Sequence, residues 1–484
     1  MNFFELIKKS KLALSKESEL ELNYFLSKED IDVVIYEDKK KIKQKFKGIF
    51  FQSLLFFFRI LSNLSLFEKK IFTKPVYVAL GTINQFNSIK STLEALEANG
   101  DKFLLSINKN VFHKNYYFKN AKPIKFNIKV ALSGFVLFFS RVLPLYLELK
   151  RKNKNYEIAM HFNLLCEAYI LVPFYIDMLK KVQPKIIIVS NDHHVITRSL
   201  RLSAEIMDVK TLYLQHASVS EIFPPLEFNY ALLDGNIAHQ LYIQCYQTKQ
   251  RTNLRIEKNI ANCKVILTGQ KKSVVKKNEE KMLKGLHIGL AVNPDDDFDR
   301  LQKLLDHLSP MKVKCIVRTH QGQSLFFLKQ LKAYIRDKNW ISWSDSREHM
   351  ISNYFMQVNL LIASNSSIHL EAALAGLPTF YYEMTSKVLY LDYYGYVRNG
   401  ISKKLENNFS FELLKNFVNS EYNDLQRLKS IKSYSETYGT SWQDQEGKLS
   451  ALIINRILND KSLDDLFQIQ KSKIYNSVNF LKLD

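Results

Sequence analysis

The sequence predicts an α/β protein with two parallel-sheet domains that face a cleft, preceded by extra N-terminal helices. After residue 75, short apolar runs alternate with helical patterns, and a polar, basic stretch over residues 271–285 divides this series in two. Alternation of strand, loop and helix is typical of a parallel sheet with helices on its faces. A length of 484 residues suffices for two or three domains with sizeable cores.

Apolar runs mark the strands of both predicted sheets. The run over 184–190 (PKIIIVS) is strongly β-branched, which indicates a strand buried on both faces. A long helical region over 130–181 precedes it. The other strands are predicted at 75–81, 102–107 and 210–215, and then at 287–293, 313–318, 358–363 and 378–382. We therefore divide the chain into a helical region over 1–74, a first domain over 75–270, a second domain over 286–440 and C-terminal helices over 441–484.

The composition excludes several classes of protein. Gly and Pro number only 14 and 10, and hydrophobic residues make up 46%, which excludes collagen-like and generally disordered chains. The four cysteines form no CxxC pair, so neither a disulfide framework nor a zinc ribbon is expected, and a reducing cytoplasm fits. With 69 Lys+Arg against 48 Asp+Glu, the net charge of +21 indicates an acidic partner: nucleic acid, anionic membrane or phosphate-bearing substrates.

Two apolar stretches lie beside basic runs. Residues 49–67 follow the basic run that includes 39–47, and residues 130–147 precede the basic run 150–154. Each stretch contains an arginine, Arg59 or Arg141, which disfavours a true membrane span. We expect amphipathic helices that either lie on an anionic membrane surface or pack in the core of a soluble domain.

Polar residues at strand ends of the second domain suit a phosphate. A Ser/Asn-rich segment stands between a predicted strand and a helix, where free N–H groups and hydroxyls could bind phosphate oxygens. A cation and a histidine follow another strand, where they could bind a leaving phosphate. The candidate nucleotide-side residues are Asn365, Ser366, Ser367, Glu371, Arg318, His320, Gly289, Asn293 and Ser344. The acidic run Asp295–Asp297 is expected to start a helix rather than to bind metal.

The first domain offers two candidate bases. His216 follows the strand over 210–215, and Asp234 follows an apolar run over 229–233. An imidazole or a carboxylate facing the cleft could deprotonate a hydroxyl nucleophile, although Asp-Gly is also a common turn pair. Further residues at strand ends of this domain could contact a second substrate: Gln215, Glu221, Asn191, Asp192 and Thr82.

The order of these motifs resembles that in bacterial glycosyltransferases of the GT-B fold that build capsule and lipopolysaccharide. It is most similar to the sialyltransferases, polysialyltransferases and Kdo transferases, and more remotely to the CDP-glycerol glycerophosphotransferases. The sialyltransferase order of acidic-Asp-Gly, His-Pro and Ser-Ser is matched by Leu233-Asp234-Gly235, His320-Gln321 and Ser366-Ser367. Leu233 and Gln321 depart from it, standing where that family has an acidic residue and a proline.

The resemblance implies two Rossmann-like domains of GT-B type, an acceptor domain and then a nucleotide-sugar domain. It implies inverting transfer of a nonulosonic acid (sialic acid, Kdo or related) from a CMP-activated donor to a hydroxyl of a surface glycan or lipid-linked glycan. Asp234 would be the base, while His320, Ser366 and Ser367 would bind the CMP phosphate. In the glycerophosphotransferases the base is a histidine in a Trp-His-Gly loop, to which Gln215-His216-Ala217 is similar, so the base stays open between Asp234 and His216.

Several alternatives remain at the level of sequence. Transfer from CDP-glycerol or a UDP-sugar, and epimerisation or hydrolysis of a sugar nucleotide, would suit the same fold. A basic nucleic-acid-binding protein or a noncatalytic membrane-associated protein would belong to another class. Because lysine is spread along the chain, with runs beside the apolar stretches, we expect no nucleic-acid partner. We expect a cytoplasmic enzyme, peripheral on the inner membrane, that needs neither metal nor any cofactor besides its CMP-sugar donor.

Overall fold

The computed structural model describes most of the chain. The described residues are 1–24, 48–66, 71–107, 121–221, 223–248, 263–271, 285–385, 392–421, 424–463, 468–471 and 479–482. The basic run 39–47 and all of the predicted linker except its two end residues lie outside these ranges.

The first sheet has nine strands in the order β14-β15-β7-β6-β5-β4-β1-β2-β3. The strands are β1 (Val76–Leu80), β2 (Phe103–Ile107), β3 (Ala121–Pro123), β4 (Ile186–Val189), β5 (Lys210–Leu214), β6 (Tyr230–Leu233), β7 (Lys264–Leu267), β14 (Gln468–Lys471) and β15 (Asn479–Lys482). All neighbours pair in parallel except β14 and β15, which pair antiparallel. The predicted strands of this domain are therefore present, with ends shifted by one or two residues.

Helices cover both faces of this sheet. The helices of this half are α1 (Phe3–Lys16), α2 (Glu19–Leu22), α3 (Ile49–Ser62), α4 (Ile83–Ala98), α5 (Ile128–Arg151), α6 (Asn155–Met160), α7 (Phe162–Cys166), α8 (Ala168–Val182), α9 (Val195–Ile206), α10 (Asn236–Thr248) and α17 (Glu446–Leu458). Along β1, Tyr77 and Ala79 join the core under α5, α8 and α9, whereas Val76 and Val78 join the core under α4 and α17. This alternation explains why the strand is apolar at every position.

The second sheet has six strands in the order β10-β9-β8-β11-β12-β13, all parallel. They are β8 (His287–Val292), β9 (Lys314–Thr319), β10 (Ile341–Asp345), β11 (Leu360–Ala363), β12 (Thr379–Tyr381) and β13 (Lys403–Lys404). Its helices are α11 (Phe298–Leu308), α12 (Leu325–Ile335), α13 (Ile351–Phe355), α14 (Ile368–Leu374), α15 (Phe411–Glu421) and α16 (Leu425–Tyr434). Two parallel sheets separated at the predicted linker confirm the predicted two-domain α/β class.

The chain returns to the first domain after the second. Helix α17 packs on α4, and β15 pairs with β7. The sequence predicts only helices over 441–484, so the two strands correct that expectation. Periodicity could not find them, because pairing with a strand some 200 residues earlier leaves no local pattern.

The N-terminal helices are part of the first domain. Helix α1 packs on α5, α8 and α9, and Glu17 at its end forms an ion pair with the fully buried Arg201. Helix α3 contacts α7, and its Arg59 forms an ion pair with Glu167. These pairs hold the predicted helical region against the Rossmann-like core.

In the part of the chain that the structure describes, two segments are long and apolar enough to cross a membrane by length and composition alone. One is α5, and the other is the segment Phe162–Val182, which α7 and α8 share. The protein buries 89% of the apolar window of the second segment but only 39% of that of α5. The second segment is therefore a core element of the first domain, whereas α5 leaves a large apolar surface exposed.

Candidate active site

The loops at the carboxyl ends of both sheets meet across the predicted cleft. After β1, Asn84 accepts a hydrogen bond from Gln321 Nε2 at 2.9 Å, and Gln321 follows β9. After β5, Ser218 Oγ lies 2.5 Å from Tyr396 Oη in the second domain. Because ligands of open parallel sheets bind at the carboxyl ends of the strands, these loops enclose the natural position for a site.

The loop after β4 carries a buried carboxylate held by a network. Asp192 accepts hydrogen bonds from His193 Nδ1 at 2.8 Å and from Tyr242 Oη at 2.7 Å. Asn191 Oδ1 accepts from the backbone N–H of His193 and His194, while its amide contacts His193 Nε2. Both predicted residues, Asn191 and Asp192, are thus occupied in shaping the loop rather than freely presented.

His216 lies next to this carboxylate. Its ring centroid is 6.3 Å from that of His193, which bonds Asp192 directly. Burial would raise the pKa of Asp192, but the His193 and Tyr242 bonds and the charge of a protonated His216 lower it. His216 is half-buried and follows the end of β5, near this fixed negative charge.

Asp234 stands in a different environment. It is buried, and its Oδ1 lies 3.3 Å from the ammonium of Lys271, which is also buried. Its backbone N–H donates to Gln215 Oε1, and its carbonyl accepts from Gly269 and Glu436. The predicted contact residue Gln215 thus braces this turn. The Asp234 carboxylate is therefore ion-paired, and the backbone of its turn bonds both the loop after β7 and the segment after α16.

Two further acceptor-side candidates lie at the edge of the cleft. Thr82 is the N-cap of α4, where its hydroxyl accepts from the backbone N–H of Gln85. Glu221 is exposed, and its carboxylate lies 3.6 Å from the guanidinium of Arg398 in the second domain. Thr82 therefore has a capping role at this position, and Glu221 forms part of the contact between domains.

Arg318 is fixed by its own domain. Its guanidinium donates to Ser344 Oγ at 3.0 Å and to the carbonyl of His349 at 3.0 Å. The charge also lies 5.4 Å from the ring centroid of Tyr354. The predicted pair Arg318 and Ser344 is therefore brought together, at the ends of the neighbouring strands β9 and β10. A buried, oriented cation at a strand end contributes to a positive potential at the nucleotide side of the cleft.

His320 has a defined tautomer. The backbone N–H of Gly322 donates to its Nδ1 at 3.0 Å, so in the neutral ring the proton resides on Nε2. Desolvation by neighbouring atoms lowers the pKa of His320. The side chain is consequently a neutral hydrogen-bond donor near pH 7, at the carboxyl end of β9. This is the property required to stabilise an oxyanion on a departing phosphate.

The loops after β8 and β11 are bonded to each other through a buried carboxyl. Asp296 accepts from Ser364 Oγ at 2.5 Å and from the backbone N–H of Asn293 at 2.7 Å. Burial raises the pKa of Asp296 to about 7, although both of these bonds oppose the rise. The Asn293 amide donates to the carbonyl of Asn365, and Asn365 Oδ1 accepts from the backbone of Tyr393. Asn293 and Asn365 thus hold the loop after β11 from both sides.

Ser366 and Ser367 come directly after Asn365, at the start of helix α14. Helix α14 spans seven residues, and Ser367 makes no side-chain capping bond. Ser366 Oγ accepts from the backbone N–H of Ile368, which leaves its own hydroxyl proton for another acceptor. Ser367 Oγ lies 3.4 Å from Glu371 Oε1, within one turn of the helix. Any phosphate binding by this loop would therefore depend on the serine hydroxyls, because helix α14 is too short to contribute a large dipole.

Gly289 does not reach the cleft. It lies within β8, where an added Cβ would stand 2.5 Å from Tyr354 Oη. The glycine is therefore required for packing against the Tyr354 ring, which corrects its predicted place among nucleotide-binding residues. A glycine in a strand indicates close approach of another group, but the sequence does not tell whether that group is a ligand or a side chain.

Several residues of this site escape sequence reasoning. His369 is fully buried and bonds the carbonyl of Ser364 through Nε2 at 2.9 Å, while Nδ1 lies 2.9 Å from Ser402 Oγ. Burial lowers the pKa of His369 to about 4, so the ring is neutral and holds the serine loop. The partners Tyr242 and Lys271 are likewise 50 and 37 residues from the carboxylates they contact. Of these three residues, only His369 lies within a segment that the sequence had singled out, between Ser367 and Glu371.

Comparisons with known proteins identify similar folds. No family model matches the chain, nor does any curated protein. The solved UDP-GlcNAc 2-epimerase of Neisseria meningitidis bound to UDP-GlcNAc is 12% identical with a TM-score of 0.49, over 79% of this chain and 99% of its own. Acinetobacter baumannii MurG is 11% identical with a TM-score of 0.42, over 78% and 99%. The wall teichoic acid polymerase TagF is 11% identical with a TM-score of 0.45, over 80% and 90%.

Proposed function

We propose that this protein is an inverting glycosyltransferase that uses a nucleotide-activated sugar and a hydroxyl acceptor. The observation that carries the proposal is the pairing, across one cleft, of a candidate base with candidate phosphate ligands. His216 beside Asp192 ends a strand of the first sheet, and His320 and Ser366 end strands of the second. A base for the acceptor hydroxyl and donors for a leaving phosphate are the two functions that such a transfer needs.

The residues divide the proposed reaction between them. His216 takes the proton of the acceptor hydroxyl as its oxygen forms the new bond to the anomeric carbon. The bond from that carbon to the phosphate oxygen breaks, and the nucleotide monophosphate leaves with the electron pair. His320 Nε2–H and the Ser366 hydroxyl donate to that oxygen, within the positive potential of Arg318. The charge on Asp192 stabilises the imidazolium that His216 becomes.

For the donor we propose a CMP-activated nonulosonic acid and, for the acceptor, a hydroxyl of a surface or lipid-linked glycan. Support comes from the motif order of Asp234-Gly235, His320 and Ser366-Ser367. A second candidate, transfer of glycerol phosphate from CDP-glycerol, is favoured by a specific observation. The buried ion pair of Asp234 with Lys271 favours the histidine of Gln215-His216-Ala217 over Asp234 as the base, as in the glycerophosphotransferases.

The first experiment is a donor panel. CMP-, CDP- and UDP-activated donors are incubated with the protein and candidate acceptors, with and without EDTA, and nucleotide release is measured. Release of CMP from a CMP-nonulosonate, dependent on acceptor and unaffected by EDTA, is the expected result. Release of CMP from CDP-glycerol would select the second candidate, and release without acceptor dependence would contradict a transferase.

The second experiment tests the base. We expect His216→Ala to lower turnover by roughly 10²–10⁴-fold, the usual contribution of general base catalysis, with little change in KM for the donor. Thr197→Ala serves as a matched control, because this buried residue hydrogen-bonds Asn191 and the carbonyl of His194 in the loop that carries Asp192. If His216→Ala retains turnover within about tenfold of the parent while it stays folded, the active-site assignment is wrong.

A further inference from the structure

The first domain exposes two apolar stripes on adjacent helices. Along α5 the exposed side chains recur every three or four residues, and Phe139 is 71% accessible. Helix α3 has a similar stripe, with Phe58 at 70%. The members of the two stripes, together called the apolar face, are Phe50, Phe51, Leu54, Phe58, Leu61, Ile128, Leu132, Val136, Phe139, Leu143 and Leu147.

Ring contacts make the two stripes one surface. The Phe57 ring centroid lies 4.8 Å from that of Phe138, 5.5 Å from Phe135 and 6.1 Å from Phe139. Helices α3 and α5 therefore pack side by side, with their accessible edges adjacent. Soluble monomers rarely expose contiguous apolar surfaces of this kind unless something binds them.

The opposite sides of both helices are fixed to the protein. A Cβ on Gly134 of α5 would stand only 2.9 Å from Ile170 Cδ1 of α8, which shows how closely these helices approach. Arg141 lies 2.5 Å from Glu19, and Arg59 pairs with Glu167. A helix that packs on a buried core along one side exposes only its other side. Helices α3 and α5 therefore suit binding to the surface of a membrane through the apolar face, and do not suit crossing a bilayer.

Cations stand at both ends of α5. Lys150, Arg151 and Lys152 end the helix, while Lys122 and Lys125 precede it. Within the described residues, Lys122 and Lys125 have no ion-pair partner, and Lys125 is exposed. A second copy of the chain on this face would bring like charges together, whereas an anionic surface would meet complementary ones. The charge pattern therefore favours a membrane over a dimer.

A cavity lies at the first turn of α5, between β3 and the end of α8. It has a volume of about 350 Å³, and Lys122, Lys125 and Lys181 line it together with the apolar Phe174 and Met178. Among the described residues, Asp177 is the one carboxylate in its lining, and Lys129 and Lys181 neutralise it at 2.6 and 2.7 Å. The unpaired Lys122 and Lys125 leave this space, the headgroup cavity, with a net positive charge over an apolar floor.

We propose that the apolar face docks the protein on an anionic bilayer, with the phosphate of a lipid headgroup in the headgroup cavity. The stripes insert into the boundary between headgroups and acyl chains, and the lysines contact phosphate oxygens. Such interfacial binding combines buried apolar area with attraction to anionic lipid. The surface is defined without reference to the transfer reaction, so membrane binding and catalysis are tested separately.

Vesicle sedimentation tests the apolar face with the full chain. We expect binding to vesicles of equimolar phosphatidylglycerol and phosphatidylcholine, and at least about tenfold weaker binding by Phe58→Asp/Phe139→Asp. The matched control is Leu325→Asp/Phe326→Asp, which changes two equally exposed apolar side chains of the second domain. Parent-like binding by the folded Phe58→Asp/Phe139→Asp variant would overturn the proposal. So would a failure of the parent to bind, including a case where it dimerises through this face instead.

The headgroup cavity is tested by charge reversal. Lys122→Glu/Lys125→Glu is expected to weaken binding to the anionic vesicles by about tenfold or more. Nucleotide release from the donor, measured with a soluble acceptor, is expected to be unchanged. Lys329→Glu/Lys415→Glu, on exposed positions of the second domain, is the control of equal charge. Equal binding of the parent to pure phosphatidylcholine vesicles, or an equal loss in the control, would remove the headgroup cavity from the proposal.

Discussion

Asp234 illustrates how a residue's role depends on a partner far away in the sequence. Its position before a glycine at a strand end is compatible with a base, and the motif order supports that interpretation. The structure adds Lys271, 37 residues later, whose ammonium lies against the carboxylate in a buried setting. No local pattern could predict this pair, because 37 residues separate its two members in the chain.

The buried pair carries a stability prediction. Asp234→Asn leaves the Lys271 charge buried without compensation, so the free energy of unfolding should fall by about 3–5 kcal/mol. Urea denaturation measures it. The double variant Asp234→Asn/Lys271→Met should lose less than Asp234→Asn alone, because no unpaired charge remains. Losses that simply add would show that the two groups do not interact.

Strand ends were the part of the site that the sequence could predict. His216 and His320 each follow a buried strand within two residues, and Arg318 is the last residue but one of β9, so the structure places all three at the carboxyl edges of the sheets. The roles of the side chains at these strand ends were harder to predict from the sequence. Thr82 and Gly289 appear as site residues in the sequence, yet one caps a helix and the other makes room for Tyr354.

Among the elements, buried parallel strands were the easiest to recognise. Runs such as 184–190 and 287–293 are apolar at nearly every position because helices cover both faces of the sheet. Edge and returning strands have no such pattern. The short β3 and β13, the edge strand β10 and the late pair β14 and β15 remained unpredicted, although the element order before residue 440 was mostly correct. The interior strand β7 also remained unpredicted.

The contact between α17 and α4 gives a prediction at this scale. A Cβ on Gly447 would lie 2.7 Å from the backbone carbonyl carbon of Ser91, so the helices cannot accept a larger side chain there. Gly447→Leu should lower the free energy of unfolding by about 1–3 kcal/mol through overpacking. Lys448→Leu, at the next and exposed position, is the control. Equal urea midpoints for the two variants would contradict the close approach.

On the scale of the whole molecule, the second domain is inserted into the sequence of the first domain. Residues before 271 and after 446 share one sheet and its covering helices, and the six-stranded domain lies between them in the chain. The core under α4 includes Leu449, Ile453 and Ile454 of α17. The first domain is therefore incomplete without the later residues.

This dependence predicts the behaviour of fragments. Residues 1–271 alone should show no cooperative unfolding transition, because the apolar surface of α4 lacks its cover. Addition of a separate segment of residues 441–484 should restore a cooperative transition monitored by near-ultraviolet circular dichroism. Cooperative unfolding of the 1–271 fragment by itself would contradict this account.

Because of this insertion, the ribosome synthesises the first domain in two parts, with the second domain between them. The edge of β7 emerges about 200 residues before β15 is made, and the second domain can close in that interval. At typical rates of 5–20 residues per second, the β7 edge waits on the order of 10–40 s for β15 in a nascent chain. The uncovered α4 waits longer, roughly 17–70 s, because about 350 residues separate it from α17. An unpaired strand edge and an apolar helix face are binding surfaces for chaperones and for aggregation. The yield of folded protein in cells should therefore depend on what protects the first domain while the second is synthesised.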